Sequence, residues 1–348
     1  MLSKKELNSN WKFKLADSSF PLEFVPNQII KSGKWFPAKV PGTIHTDLLN
    51  NDLIDNPFYS DNELKLNWIA ECDWIYQTEF DFNDNTNKNV NLVFEGLDTI
   101  CEIYLNDVKL DITDNMFLSY QYDVKKILKV SNNLLKVIFK SPVKYASKQE
   151  EKYGKLPVAL NSSRVYIRKA QYSFGWDWGP SFPTSGIWRN VYLEEYAGSR
   201  IENVTFHTTN LNDVLAEVEV VTEITDNQSN NLSLQIILSD GQNIYEQETK
   251  IGNTTKYKAA FIIKNSKLWW PNGAGEQNLY LLTVKIIDDN KIVIDEINKN
   301  VGIRKLELIL IEENDAAFKL RINNRDIFCQ GVNWIPADSF LPRITKEK

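Results

Sequence analysis

An all-β chain of two successive antiparallel sandwiches is the fold class that this sequence predicts. Three observations carry that expectation. Short apolar runs with two-residue periodicity recur between turn clusters, and helical spacing is confined to two short stretches. At 348 residues the chain is also too long for one sandwich and suits two with a remainder.

In the first sandwich, expected to end near Gly198, Trp74-Ile-Tyr-Gln-Thr-Glu-Phe80 alternates. Leu92–Phe94, Ile100–Leu105 and Leu134–Phe139 read as further strands. Asn106-Asp107 suits a tight hairpin turn, because short polar side chains tolerate positive φ. Thr43 can cap a helix whose apolar stripe is Ile44, Leu48 and Leu49, and a second, polar helix is expected around Lys144 to Tyr153. Val165 to Phe174 reads as a strand, and beyond a loop Ile187, Arg189, Val191 and Leu193 alternate with Trp188, Asn190 and Tyr192. Over residues 200–310 the strands Ala216–Val221, Leu232–Leu238, Tyr257–Ile263, Leu279–Ile287 and Lys291–Ile297 are evenly spaced. Turn clusters at 226–230 and 288–290 separate them, and this rhythm suggests a small immunoglobulin-like sandwich.

Composition narrows the function classes. Hydrophobic residues at 43% and charged residues at 25% describe an ordinary globular protein. A net charge of −6 leaves no basic footprint, so neither nucleic acid nor an anionic membrane is an expected partner. Cys72, Cys101 and Cys329 match no metal or disulfide spacing and read as buried reduced thiols. No apolar run approaches the ~20 residues of a membrane span. The start lacks a signal-peptide core, so the expected location, as written, is cytoplasmic. With His45 and His207 as the only histidines, no metal site and no cofactor are expected. His45, at a helix start, suits packing or hydrogen bonding better than catalysis.

The most informative stretch runs from Arg168 to Arg189 and places Asp177 between Trp176 and Trp178 in a loop punctuated by Gly and Pro. Flat rings cover the apolar face of a sugar, and a carboxylate accepts from its hydroxyls. The same residues also suit core tryptophans and a turn-capping aspartate, so the pattern alone leaves both readings open.

The segment resembles the β-mannosidases of glycoside hydrolase family two. So do Val40-Pro-Gly-Thr-Ile-His-Thr-Asp-Leu48, Phe94-Glu-Gly-Leu-Asp-Thr99, Ile103-Tyr-Leu-Asn106 and Asn115-Met-Phe117. Leu268-Trp-Trp-Pro-Asn-Gly273, Gly302-Ile-Arg304 and Gly331-Val-Asn-Trp-Ile-Pro-Ala-Asp-Ser-Phe340 continue the match in order. The resemblance implies a jelly-roll, galactose-binding-like sandwich over 1–198 and an immunoglobulin-like sandwich over 199–310. It also implies the start of a (β/α)8 barrel over 311–348, truncated because such a barrel needs ~250 residues. The catalytic glutamates of the family then fall on the missing barrel, so no catalytic residue is expected in this chain. The one Asn-Glu pair, Asn62-Glu63, reads as solvated surface.

By the same resemblance, Asp177 contacts substrate, a β-mannosyl oligosaccharide, with Trp176 and Trp178 shaping the wall. Trp334 and Asp338 are assigned to the first barrel strand and its loop, where both can line the same pocket and Trp334 suits packing equally well. Trp269-Trp270 is expected at a domain interface. A separately encoded barrel segment is the partner that this arrangement calls for. Residues 318–348, without a barrel, are expected to be disordered, to dock on the second sandwich or to self-associate. Two other readings stay open: a stand-alone carbohydrate-binding sandwich, and a β-galactosidase or β-glucuronidase relative.

Overall fold

The structure, a computed structural model, describes residues 3–17, 25, 29, 33–83, 89–177, 179–196, 198–225, 231–312 and 315–347. It is 46% strand and 12% helix, so the all-β expectation holds. The chain divides into two compact units, Ser3–Glu195 with Trp334–Lys348, and Tyr196–Asn333.

In the first unit the strands are β1 (Ser3–Glu6), β2 (Lys12–Asp17), β3 (Phe36–Pro37), β4 (Asp73–Phe80), β5 (Asn89–Phe94), β6 (Leu97–Asp98) and β7 (Cys101–Leu105). They continue as β8 (Val108–Thr113), β9 (Tyr120–Asp123), β10 (Asn133–Phe139), β11 (Phe174–Trp176), β12 (Gly179–Ser181), β13 (Gly186–Ile187) and β14 (Val191–Tyr196). A six-stranded sheet, β3-β2-β4-β10-β7-β8, accompanies a four-stranded sheet, β1-β14-β5-β9. Alternation along β4 points Trp74, Tyr76 and Thr78 inward, and along β10 Leu135, Val137 and Phe139. The turn between β7 and β8 is Asn106-Asp107, at φ 51° and 65°, as two-residue hairpins with the strands' own twist require.

Helix α1 (Ile44–Asn50) starts on a reciprocal cap in which the Thr46 amide donates to Thr43 Oγ1 and the Thr43 amide to Thr46 Oγ1. Its inward face carries Ile44, His45, Asp47 and Leu48. Two short helices, α2 (Asn62–Lys65) and α3 (Trp68–Glu71), precede β4. The polar helix α4 (Pro142–Tyr153) is capped by Ser141, whose hydroxyl also donates to the Ala70 carbonyl at 2.6 Å.

One expected strand is absent. Val165 to Phe174 forms 3-10 turns at Ser162–Tyr166 and Gln171–Ser173, joined by a single bridge from Arg168 to Asn115. The Gln171 side-chain Nε2 donates back to the carbonyls of Arg164, Ile167 and Lys169, and such local bonds compete with a ladder.

The second unit holds β15 (Ile201–Leu211), β16 (Leu215–Ile224), β17 (Leu232–Ser239), β18 (Ile244–Lys250), β19 (Lys256–Lys264), β20 (Tyr280–Asp288) and β21 (Val293–Val301). Sheets β15-β16-β19 and β18-β17-β20-β21 enclose a core that includes Val218, Ile236, Phe261 and Val284. The turn cluster at 226–230 lies outside the described residues. A three-stranded antiparallel sheet follows, of β22 (Leu306–Glu312), β23 (Asp315–Ile322) and β24 (Arg325–Ile327).

Residues 328–336 form neither strand nor helix, so Trp334 lies in no barrel strand. A barrel strand is held by hydrogen bonds to neighbours on both sides, and among the described residues none pairs with this stretch. The expectation for the tail needs correction. Phe340 is fully buried, and the unit in which it packs is the first, not the second. A large ring gains more by filling an aromatic recess than by standing in water. No helix among the described residues is long and apolar enough to cross a membrane.

Candidate functional site

The strands β11 and β12 form a small hairpin with Phe174 opposite Ser181 and Trp176 opposite Gly179. The Trp176 ring lies over Gly179, where a Cβ would come within 2.4 Å of ring atoms, so only glycine fits. Gly175, at φ +86°, lets the first strand bend. Tyr172 meets Trp176 edge-on, with centroids 6.1 Å apart. Asp177 is exposed at the turn. Trp178 lies outside the described residues.

What holds this hairpin is better packed than the hairpin itself. Glu63 is half-buried rather than solvated, because its Oε1 accepts the Ser181 amide at 2.7 Å. Phe182, one residue beyond β12, is buried among His45, Phe58 and Phe340 at centroid distances of 5.4–5.6 Å. Below, Lys169 Nζ donates to both carboxylate oxygens of Asp98 and, at 2.9 Å, to Thr184 Oγ1. The Thr184 hydroxyl in turn donates to Asp98 at 2.6 Å, and the Thr99 hydroxyl donates to the other oxygen. Side-chain exposures of 1% and 2% for Lys169 and Asp98 make this a fully desolvated ion pair. Burial pulls the Lys169 ammonium below its ordinary value, and the Asp98 carboxylate resists that pull.

A crevice of about 10 Å3 opens onto the pair, lined by Tyr172, Ser173, Ser339 and Pro342 among others. That volume admits one water at most, so no sugar enters here. Among the described residues the Tyr172 hydroxyl has no hydrogen-bond partner, and burial, then the charges of Asp98 and Asp338, raise its pKa. Asp338 is gripped by Arg343 at 2.9 Å from Nε and 2.6 Å from Nη2, and its side chain is 8% exposed. The structure therefore brings Trp176, Tyr172 and Asp338 into one neighbourhood beside Asp177. Trp334 instead stands 82% exposed in the unpaired stretch. Trp269 and Trp270 are half-buried in the second unit, with Arg304 4.6 Å over the Trp269 ring.

Among the described residues no three His, Cys, Asp or Glu side chains gather as a metal site. His45 is buried against Phe182 and Phe340, and burial, helped by the Lys169 charge, lowers its pKa to about 3. Cys72 and Cys101 are buried and, among the described residues, in no disulfide, and burial pushes the Cys101 thiol up to about 12, which leaves it unreactive. Cys329 departs from the expectation and is exposed.

Residues 11–189 match the family described as glycosyl hydrolase 2 galactose-binding domain-like, and residues 199–304 match glycosyl hydrolases family 2. The β-mannosidase of Bos taurus is 34% identical over 373 aligned positions, covering 97% of this chain and 39% of the bovine protein. The crystal structure of the β-D-mannosidase from Dictyoglomus thermophilum superposes with a TM-score of 0.88 at 38% identity, covering 99% of this chain and 42% of that one. The structure of a putative β-galactosidase from Bacteroides fragilis, at 18% identity and a TM-score of 0.62, shares the fold alone, covering 94% of this chain and 44% of that one. The chain thus spans about two fifths of the length of these β-mannosidases. With both of its sandwiches matched in order, the chain belongs to glycosyl hydrolase family 2.

Proposed function

We propose that this chain is the N-terminal portion of a retaining exo-β-mannosidase, which removes terminal β-D-mannose from oligosaccharides, and that it supplies a sugar-contacting wall to that activity. The observation that carries the reading is the exposed Asp177 on its glycine-bent hairpin, within a chain similar along its whole length to a β-D-mannosidase. An exposed carboxylate held on a short, well-footed hairpin can accept from sugar hydroxyls, and each such bond is worth ~1.5–3 kcal/mol because one partner is charged. Trp176 forms the apolar side of that wall, and Trp178, Asp338 and Trp334 are further candidates from the sequence.

Retaining hydrolysis needs two carboxylates ~5–5.5 Å apart, one as acid and one as nucleophile. In this reading both belong to the barrel, and the partner of the chain is that barrel. The pure 348-residue chain is then expected to give no turnover of an aryl β-mannoside. Measurable turnover, abolished by a substitution within the chain, would place the dyad here and overturn the proposal.

The role of Asp177 is tested by joining the chain to the portion of the Dictyoglomus thermophilum enzyme beyond the matched region. In that fusion Asp177→Asn should lower kcat/KM by roughly ten- to a hundredfold with little change in melting temperature. An unchanged kinetic profile would return Asp177 to a turn-forming role.

A further inference from the structure

We propose that residues 338–343 act as a wedge that sets the Asp177 hairpin, with Phe340 and Arg343 as positioning residues. The functional importance of the wedge rests on the reading of Asp177 as a sugar contact. The wedge itself rests on geometry. Segment 338–343 is a self-supporting turn: the Asp338 carboxylate accepts the Phe340 amide at 2.9 Å together with the Arg343 guanidinium, and the Arg343 amide donates to the Phe340 carbonyl at 2.9 Å.

That turn touches both feet of the hairpin. On the side after β12, the fully buried Phe340 packs on Phe182 at 5.4 Å and stacks on His45 at 5.5 Å. On the side before β11, Ser339, Leu341 and Pro342 wall the crevice that Tyr172 and Ser173 line from the other side. Arg343 closes the arrangement from outside, with its guanidinium 4.9 Å from the Phe340 ring centre and 5.2 Å from that of Phe58. Among the described residues the hairpin has two paired positions of its own, too few to fix its direction unaided. Its orientation comes from its feet, and the wedge sits against both.

Hydrogen exchange on the whole 348-residue chain, read by mass spectrometry, tests this. In Phe340→Ala, peptides covering residues 172–182 should lose protection tenfold or more, while those covering β4 and β10 keep theirs. Arg343→Gln leaves the Phe340 ring in place and should give a several-fold loss confined to the same peptides; it carries the test if Phe340→Ala fails to fold. Phe340→Leu, which refills most of the recess, should restore much of the protection. Unchanged exchange over 172–182 overturns the proposal, as does a uniform loss that includes β4 and β10, which would mean general destabilisation. No sugar enters this measurement, so it stands or falls separately from the sugar contact. Asp177→Asn, a change at the exposed turn, should leave the exchange pattern as it is.

Discussion

Lys169→Met is expected to lower the unfolding free energy of the first unit by about 3–5 kcal/mol, because it strands the buried Asp98 carboxylate without its counter-charge. The Thr99 and Thr184 hydroxyls would still donate to that carboxylate, but neither offsets a full charge. Adding Asp98→Asn should recover a good part of the loss, since the remaining side chain is neutral and hydrogen-bonded. Urea unfolding followed by tryptophan fluorescence would read the effect, because Trp11, Trp68 and Trp74 are buried in this unit. If Lys169→Met costs no more than Lys65→Met, a change at an exposed i,i+4 pair, the ion pair is not holding the unit together.

The second large effect is the contribution of His45 to the pH dependence of stability, which substitution at that position exposes. Its pKa is 6.5 in an unfolded chain and about 3 in this recess. The stability that comes from keeping the imidazole neutral is therefore complete above pH 6.5 and is lost as pH falls toward 3, when the unfolded state binds a proton that the folded state refuses. Between pH 7.5 and pH 4 the loss amounts to about 3 kcal/mol.

Asp47 works in the opposite sense. Burial raises its pKa to about 7, against the hydrogen bonds from the Lys39 amide and the Tyr76 hydroxyl, so its contribution is full below 3.8 and is lost as pH rises toward 7. The two trends largely cancel in the unaltered chain between pH 4 and 6.5, and only substitution separates them. His45→Phe, which keeps an aromatic ring against Phe182 and Phe340, should remove the acid-side loss and leave the decline toward pH 7. A parallel pH profile for His45→Phe and the parent chain would show that the imidazole is not the group concerned.

What could be read from the sequence was local. The β4 alternation, the Asn106-Asp107 turn and the Thr43 cap each depend on neighbours within a few residues, and each is found. Contacts made across the fold left no such pattern. Lys169 and Asp98 lie 71 residues apart, and nothing around either announces a buried ion pair. The run from Val165 to Phe174 has strand-like alternation, but Gln171 and the inward pull on Lys169 fold it into turns. Strand β18 was missed because Ile244–Lys250 is polar, as an edge strand exposed along nearly its whole length can be. At the site, the Gly-Trp-Asp-Trp-Gly-Pro string was legible and its footing was not. Glu63, Phe182 and the Phe340–Arg343 turn come together from three separate segments, and only tertiary packing connects them.

The unpaired stretch after β24 gives Phe340 a thermodynamic advantage beyond the contacts of its ring. Twelve residues, 328–339, connect the end of β24 at Ile327 to Phe340. Because the segment belongs to the same chain as its recess, the ring docks in a first-order step whose effective concentration does not fall as the protein is diluted. An intrinsic affinity far too weak to hold a free peptide at micromolar protein then keeps the recess filled, as long as its dissociation constant lies well below that effective concentration. One cleavage between 328 and 336 would turn a first-order equilibrium into a second-order one and release the segment by dilution.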